Sequence, residues 1–311
     1  MSEYNRKNPV LIEKAYKYCE SVTKLHAKSF YFAAKFLPKH KQKAVYPIYA
    51  FCRHVDDEID EIGDGDELKA VEAVERWKLN LEEIYSQIKT DEKRFETKTQ
   101  RPKTEDQNLV FRAWQNLLQN YKIPQNLPLE LIQGVLMDTK IKRYETFDDL
   151  YLYCYRVAST VGLMSSEILG YSDKKALEYA EAMGIGMQLT NILRDVKEDA
   201  RINRIYIPQE DLEKFGVSEQ QIFDNNFDEK FKRLIKFQIE RARSFYQKGE
   251  QGIPLLEKDS RFTVLLASRI YAKILDEIEK QNFNVFVKRA HTTRKQKFFS
   301  IPKIWFESRN F

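Results

Sequence analysis

Apolar residues recur every three to four positions through most of the chain. This spacing predicts helices over roughly 10–25, 40–62, 66–88, 105–121, 128–139, 146–170, 173–201, 228–251 and 260–281. Between them, the polar and charged stretch 89–107 reads as a solvated loop. The segment NRIYIPQEDLEKFG (203–216) breaks the helical run, with Pro208 placed to start a new helix and Gly216 to end it. No internal repeat or linker divides the chain. The pattern predicts a single all-α domain over 1–311, with its core at about 15–290 and a basic, aromatic tail over 288–311.

Composition agrees with long helices. Only 10 glycines and 9 prolines occur in 311 residues, and 42% of residues are hydrophobic, enough for a sizeable core. A net charge of +5 is far from the signature of a dedicated nucleic-acid binder. The three cysteines (Cys19, Cys52 and Cys154) form no C-x-x-C pair and suit a reducing, cytoplasmic setting. The opening residues lack the apolar core of a signal peptide, and no run approaches the ~20 apolar residues of a membrane span. The tail mixes Lys and Arg with Phe and Trp. That mixture reads either as solvated charge or as contact with a membrane surface.

Within 40–62 stands CRHVDDEID (52–60). Asp56 and Asp60 share a helical face about 6 Å apart along the axis. Tyr49 and Arg53 fall on the same stripe, while Glu58 and Glu61 read as surface charge. Like charges four apart cost a helix roughly a few tenths of a kcal/mol, so a lone pair of this kind reads as a solvated helix end. A second copy changes the weighing. In IGMQLTNILRDVKED (185–199), Asp195 and Asp199 are again four apart, with Gln188 and Asn191 on their stripe and apolar residues elsewhere. A polar stripe on an apolar helix predicts an interior site, because buried polar groups must find partners. Two such stripes facing one space would gather four carboxylates. Oxygen donors without His or Cys suit Mg²⁺, or Mn²⁺, bridging to phosphate oxygens, and Arg53, Arg194 and Arg204 would bind more of those oxygens.

These residues carry a resemblance. YAFCRHVDDEID and QLTNILRDVKEDARINRIYIP, with HAKSFYFAAKFLP (26–38) and YCYRVASTVG (153–162), resemble the squalene/phytoene synthases, the head-to-head prenyl transferases, over about 15–290. The resemblance implies an all-α isoprenoid synthase fold with a central cavity. It implies that Asp56, Asp60, Asn191, Asp195 and Asp199 hold Mg²⁺, with Gln188 adjacent. Ser29, Arg53, Arg194, Arg204 and Tyr206 match diphosphate-contacting positions. Tyr49, Tyr153 and Tyr271 match aromatics near the reacting carbons. Where the family often has Gly before Arg204, this chain has Asn203, a residue that tolerates positive φ.

The implied reaction condenses two prenyl diphosphates through a cyclopropyl intermediate. Three products are in range: phytoene from geranylgeranyl diphosphate, and dehydrosqualene or squalene from farnesyl diphosphate. Only squalene needs NADPH, and the chain has no G-x-G-x-x-G fingerprint. Phe30, Ala33 and Ala34 share one helical face; if that face lines the substrate tunnel, the small alanines leave room for the longer substrate, favouring phytoene. A non-catalytic helical accessory subunit would be signalled by loss of one motif, and both are intact. A terpene cyclase or a head-to-tail chain-elongating synthase is a further alternative, and the latter usually carries D-D-x-x-D in both motifs. Asp56–Asp57 allows this in the first motif, but DVKED does not in the second. His54 lies off the stripe and reads as a surface or packing residue, whereas His26 fits either a structural role or a place near the diphosphate. Oligomeric state is not legible.

Overall fold

The computed structural model describes residues 9–62, 66–89 and 104–309, and among these the regular elements are helices, joined by two isolated bridges. In chain order they are α1 (Pro9–His26), α2 (Lys28–Ala34), α3 (Lys39–Ile62), α4 (Glu67–Lys89), α5 (Glu105–Leu118), α6 (Asn126–Lys140), α7 (Phe147–Cys154), α8 (Thr160–Leu169), α9 (Ala176–Arg201), α10 (Gln209–Phe215), α11 (Glu219–Phe223), α12 (Glu229–Glu250), α13 (Lys258–Lys280) and α14 (Arg294–Ser308). Most of the loop expected over 89–107 lies outside the described residues. Its end is the start of α5, where the Thr104 hydroxyl caps the helix by accepting from the Gln107 amide at 3.1 Å. None of the described helices is long and apolar enough to cross a membrane.

The helices fall into two compact units. One runs through Thr139 and takes back Leu163–Gly170; the other holds Lys140–Gly162 and the chain from Tyr171 onward. In the first unit α3 packs on α1, α4 and α5. Its inner face (Phe51, Val55, Ile59) is at most 2% exposed, and Phe51 meets Trp77 and Trp114 at ring-centroid distances of 5.4 and 4.8 Å. Glu58 belongs to this interior, not to the surface as its sequence context suggests. It is 6% exposed, pairs with Arg76, and accepts from Trp77 Nε1 at 2.8 Å and Gln107 Nε2 at 2.7 Å. Three donors on one carboxylate repay its desolvation, and removing a partner from such a buried pair typically costs ~3–5 kcal/mol.

In the second unit α9 is the central element, packed on α12, α13 and the segment after α7. The helix expected over 146–170 is interrupted. Between α7 and α8, Tyr155–Ser159 form a π-helical turn. The neighbouring helix is pressed against this turn. A Cβ on Gly184 of α9 would stand 2.5 Å from the Ser159 Cα, so only glycine permits this approach. Past α9, Asn203 takes φ 57°, as its left-handed tolerance allows. Its backbone and side-chain oxygens accept from Arg143 at 2.6 and 2.9 Å, which fixes the turn without a glycine. Pro208 precedes α10, and Gly216 at φ 64° ends it.

Candidate active site

The first unit carries Ser29, Tyr49, Arg53, Asp56 and Asp60. The last four share the stripe of α3 opposite its apolar face. Arg53 reaches Asp56 at 3.3 Å, and donates from Nε to Asp57 at 3.0 Å. The Asp56 carboxyl is pushed up to about 7. Desolvation is the largest cause, the charge on Asp60 comes next, and Asp138 of α6 adds to both against the pull of Arg53. Asp138 is 8% exposed and was not among the sequence candidates. Its one signal in the sequence is a lone acid in an apolar run (GVLMDT), without the partner four residues away that marked the stripes. The Asp56 side chain keeps 42% exposure, so its carboxylate is within reach of solvent. Tyr49 and Phe30 stack with centroids 6.1 Å apart, while Ala33 and Ala34 are buried. His54 accepts or donates a 2.8 Å hydrogen bond with the Tyr18 hydroxyl, a packing role. His26 ends α1, exposed.

The second unit carries the other stripe. Asn191 Nδ2 donates to Gln188 Oε1 at 3.0 Å, and the Tyr271 hydroxyl donates to Asn191 Oδ1 at 2.5 Å. Arg194 Nη1 reaches the same hydroxyl at 3.4 Å. The Tyr271 hydroxyl therefore stands at the polar stripe of α9. Arg194 grips both oxygens of Asp195 at 2.8 and 2.6 Å. Arg289, which the sequence offered no reason to choose, grips the same two at 2.6 and 2.9 Å. Burial works to raise the Asp195 carboxyl, but hydrogen bonds from the two guanidiniums outweigh it and hold the group below the usual carboxylate range. Asp199, Arg204 and Tyr206 line one small pocket with Ile192 and Ile222. Tyr206 is not polar lining alone. Its ring stacks on Tyr153 at 5.2 Å and on Tyr144 at 5.9 Å, so these three buried tyrosines form one aromatic cluster.

Among the described residues, no three carboxylate, histidine or cysteine side chains close on one metal-sized point. The donor set nevertheless fits Mg²⁺. That ion is commonly held by one or two carboxylates, with waters and substrate phosphate oxygens completing its shell. The raised Asp56 carboxyl marks a place where added positive charge relieves repulsion.

The chain is 37% identical over 306 residues to a 15-cis-phytoene synthase of Synechocystis sp., covering 94% of this chain and 85% of that one. It is 35% identical over 304 residues to the chloroplastic phytoene synthase 1 of Arabidopsis thaliana, covering 96% and 68%. Its structure superposes on a ligand-bound dehydrosqualene synthase with a TM-score of 0.84, at 28% identity over 99% of this chain and 100% of that one. The family model for squalene/phytoene synthase matches residues 23–296, a span that includes both aspartate stripes, and the chain belongs to that family.

Proposed function

We propose that the protein is a phytoene synthase, condensing two molecules of geranylgeranyl diphosphate head to head with release of both diphosphates. The observation that carries the choice of product is the likeness, along nearly the whole chain, to cyanobacterial and plant proteins named as phytoene synthases. The likeness of structure to a dehydrosqualene synthase supports the runner-up, farnesyl diphosphate as substrate.

In this reading Asp56 and Asp60 of α3, and Asn191, Asp195 and Asp199 of α9, hold Mg²⁺, with Mn²⁺ as a second hard cation of the same kind. Bound Mg²⁺ supplies neutralising charge to the departing diphosphate. Arg53, Arg194 and Arg204 bind its oxygens with fixed guanidinium forks, and Ser29 and Gln188 add hydrogen bonds. Loss of the first diphosphate leaves an allylic cation. The double bond of the second substrate attacks it and a proton is lost, which gives a cyclopropyl diphosphate. Ionisation of that diphosphate, rearrangement and loss of a second proton give the hydrocarbon. Tyr49 stacked on Phe30, and Tyr153 with Tyr206, offer π-faces to passing positive charge and keep water from it. Tyr271 orients Asn191 and Arg194 through its hydroxyl. An apolar product is released most readily into lipid, which suits a protein peripheral to a membrane.

The test is incubation of purified protein with Mg²⁺ and each prenyl diphosphate, with and without NADPH, followed by identification of the hydrocarbon. Phytoene from geranylgeranyl diphosphate, without NADPH and abolished by EDTA, is expected. Dehydrosqualene or squalene as the dominant product would move the assignment to the farnesyl substrate. Full turnover in metal-depleted buffer would overturn the metal role.

A further inference from the structure

We propose that α14 is a lipid-docking helix, which holds the protein on an anionic bilayer surface through one face of aromatic and basic side chains. The inference rests on the helix itself and is independent of the product assigned above.

One face of α14 is fixed to the protein. The Thr293 hydroxyl and the Gln296 side chain form a reciprocal cap. Gln296 Nε2 donates to Glu277 at 2.7 Å, and Lys273 of α13 donates to the Ser300 hydroxyl at 2.5 Å. Ser300 and Ile304 are buried on this side, at 6% and 4% exposure.

The opposite face is aromatic and open. Phe298, Phe299, Trp305 and Phe306 are 67%, 77%, 46% and 68% exposed. At about 100° per residue, Phe298 lies over Trp305, and Phe299 over Phe306, each within about 20°. Lys295, Pro302 and Arg309 fall between these two rows. Four large aromatics in one exposed band exceed the scattered apolar residues of an ordinary surface. The basic residues decide what covers them. Arg294, Lys295, Lys303 and Arg309 are all exposed around the band, and Arg309 lies over the Trp305 ring at 4.1 Å. The helix has one acid, Glu307, and it stands 3.8 Å from Lys303. A second copy meeting this face by two-fold symmetry would set basic rim against basic rim, and protein interfaces are poor in lysine at their centres. Aromatic rings that enter the headgroup layer while Lys and Arg meet anionic headgroups satisfy both halves of the pattern.

The experiment is flotation of the full chain with vesicles of phosphatidylcholine alone, and of phosphatidylcholine mixed with phosphatidylglycerol. Light scattering of the protein without lipid runs alongside. The wild type should float with the anionic vesicles, and high salt should weaken this. Phe299→Ser/Phe306→Ser should bind at least about tenfold more weakly. Lys295→Glu/Lys303→Glu should lose the preference for anionic lipid. Unchanged melting temperatures and unchanged turnover of detergent-dispersed substrate show that the variants are folded. If the aromatic double variant misfolds, the charge-reversal variant decides alone. Vesicle binding unaltered in the folded variants, or no binding by the wild type, would overturn the proposal. So would a wild-type dimer that the aromatic substitutions dissolve, since the occupant would then be a second copy.

Discussion

Asp56 sits where two opposing demands meet. Partial burial makes the charged form costly, and Asp60 and Asp138 make it costlier, yet cation binding requires that form. The sign for stability follows. A carboxyl titrating at about 7 in the folded chain, against ~3.9 unfolded, gives no net effect below the unfolded value. Above it, the folded state loses stability progressively until pH passes about 7. Asp56→Asn should therefore raise the melting temperature of metal-free protein at pH 8, leave it unchanged near pH 3, and abolish turnover. A lower melting temperature at pH 8 would mean that the carboxylate is a structural partner. Asp195 is the opposite case, since two guanidiniums hold it ionised. The sequence placed both aspartates on their stripes but could not separate these environments. Spacing along one helix does not reveal Asp138, which is brought in by α6, or Arg289, which comes from beyond α13. Glu58 misled for the same reason. It is polar in sequence, but its three partners come from α4 and α5.

At the scale of elements, hydrophobic periodicity located the long helices, because each turns one apolar stripe inward over several turns. It failed where local pattern is overruled. The π-helical turn at Tyr155–Ser159 is set beside Gly184 of another helix. Helix α14 was legible only as a mixed tail, since most of its large apolar residues face outward. Helix α2 carries the two alanines that the sequence offers for chain-length control. Ala33 and Ala34 are each 1% exposed, and Phe30 on the same helix stacks on Tyr49. Replacing Ala34 with Phe adds a ring where space is already filled, typically at ~1–3 kcal/mol. On the reading that this face of α2 meets the distal end of the substrate, a longer substrate suffers more than a shorter one. In an equimolar mixture of both substrates, Ala34→Phe should shift the product ratio toward farnesyl-derived hydrocarbon. An unchanged ratio in a folded variant would remove residue 34 from chain-length control.

For the whole molecule, each compact unit supplies one aspartate stripe on one long helix, α3 in the first and α9 in the second. Folding alone does not explain why the α3 stripe keeps acids that raise the Asp56 carboxyl. The proposed reaction does explain it, because two diphosphates must be held and released in one sequence of steps. That account makes both stripes necessary for turnover. The most direct measurement is diphosphate release from geranylgeranyl diphosphate by Asp60→Asn and Asp199→Asn, one substitution in each unit, with melting curves of the metal-free proteins. Each variant should lose about a hundredfold or more of turnover, while its melting temperature holds or rises. Turnover per folded molecule equal to wild type in either variant would contradict the account, and would make that aspartate a structural residue of its own unit.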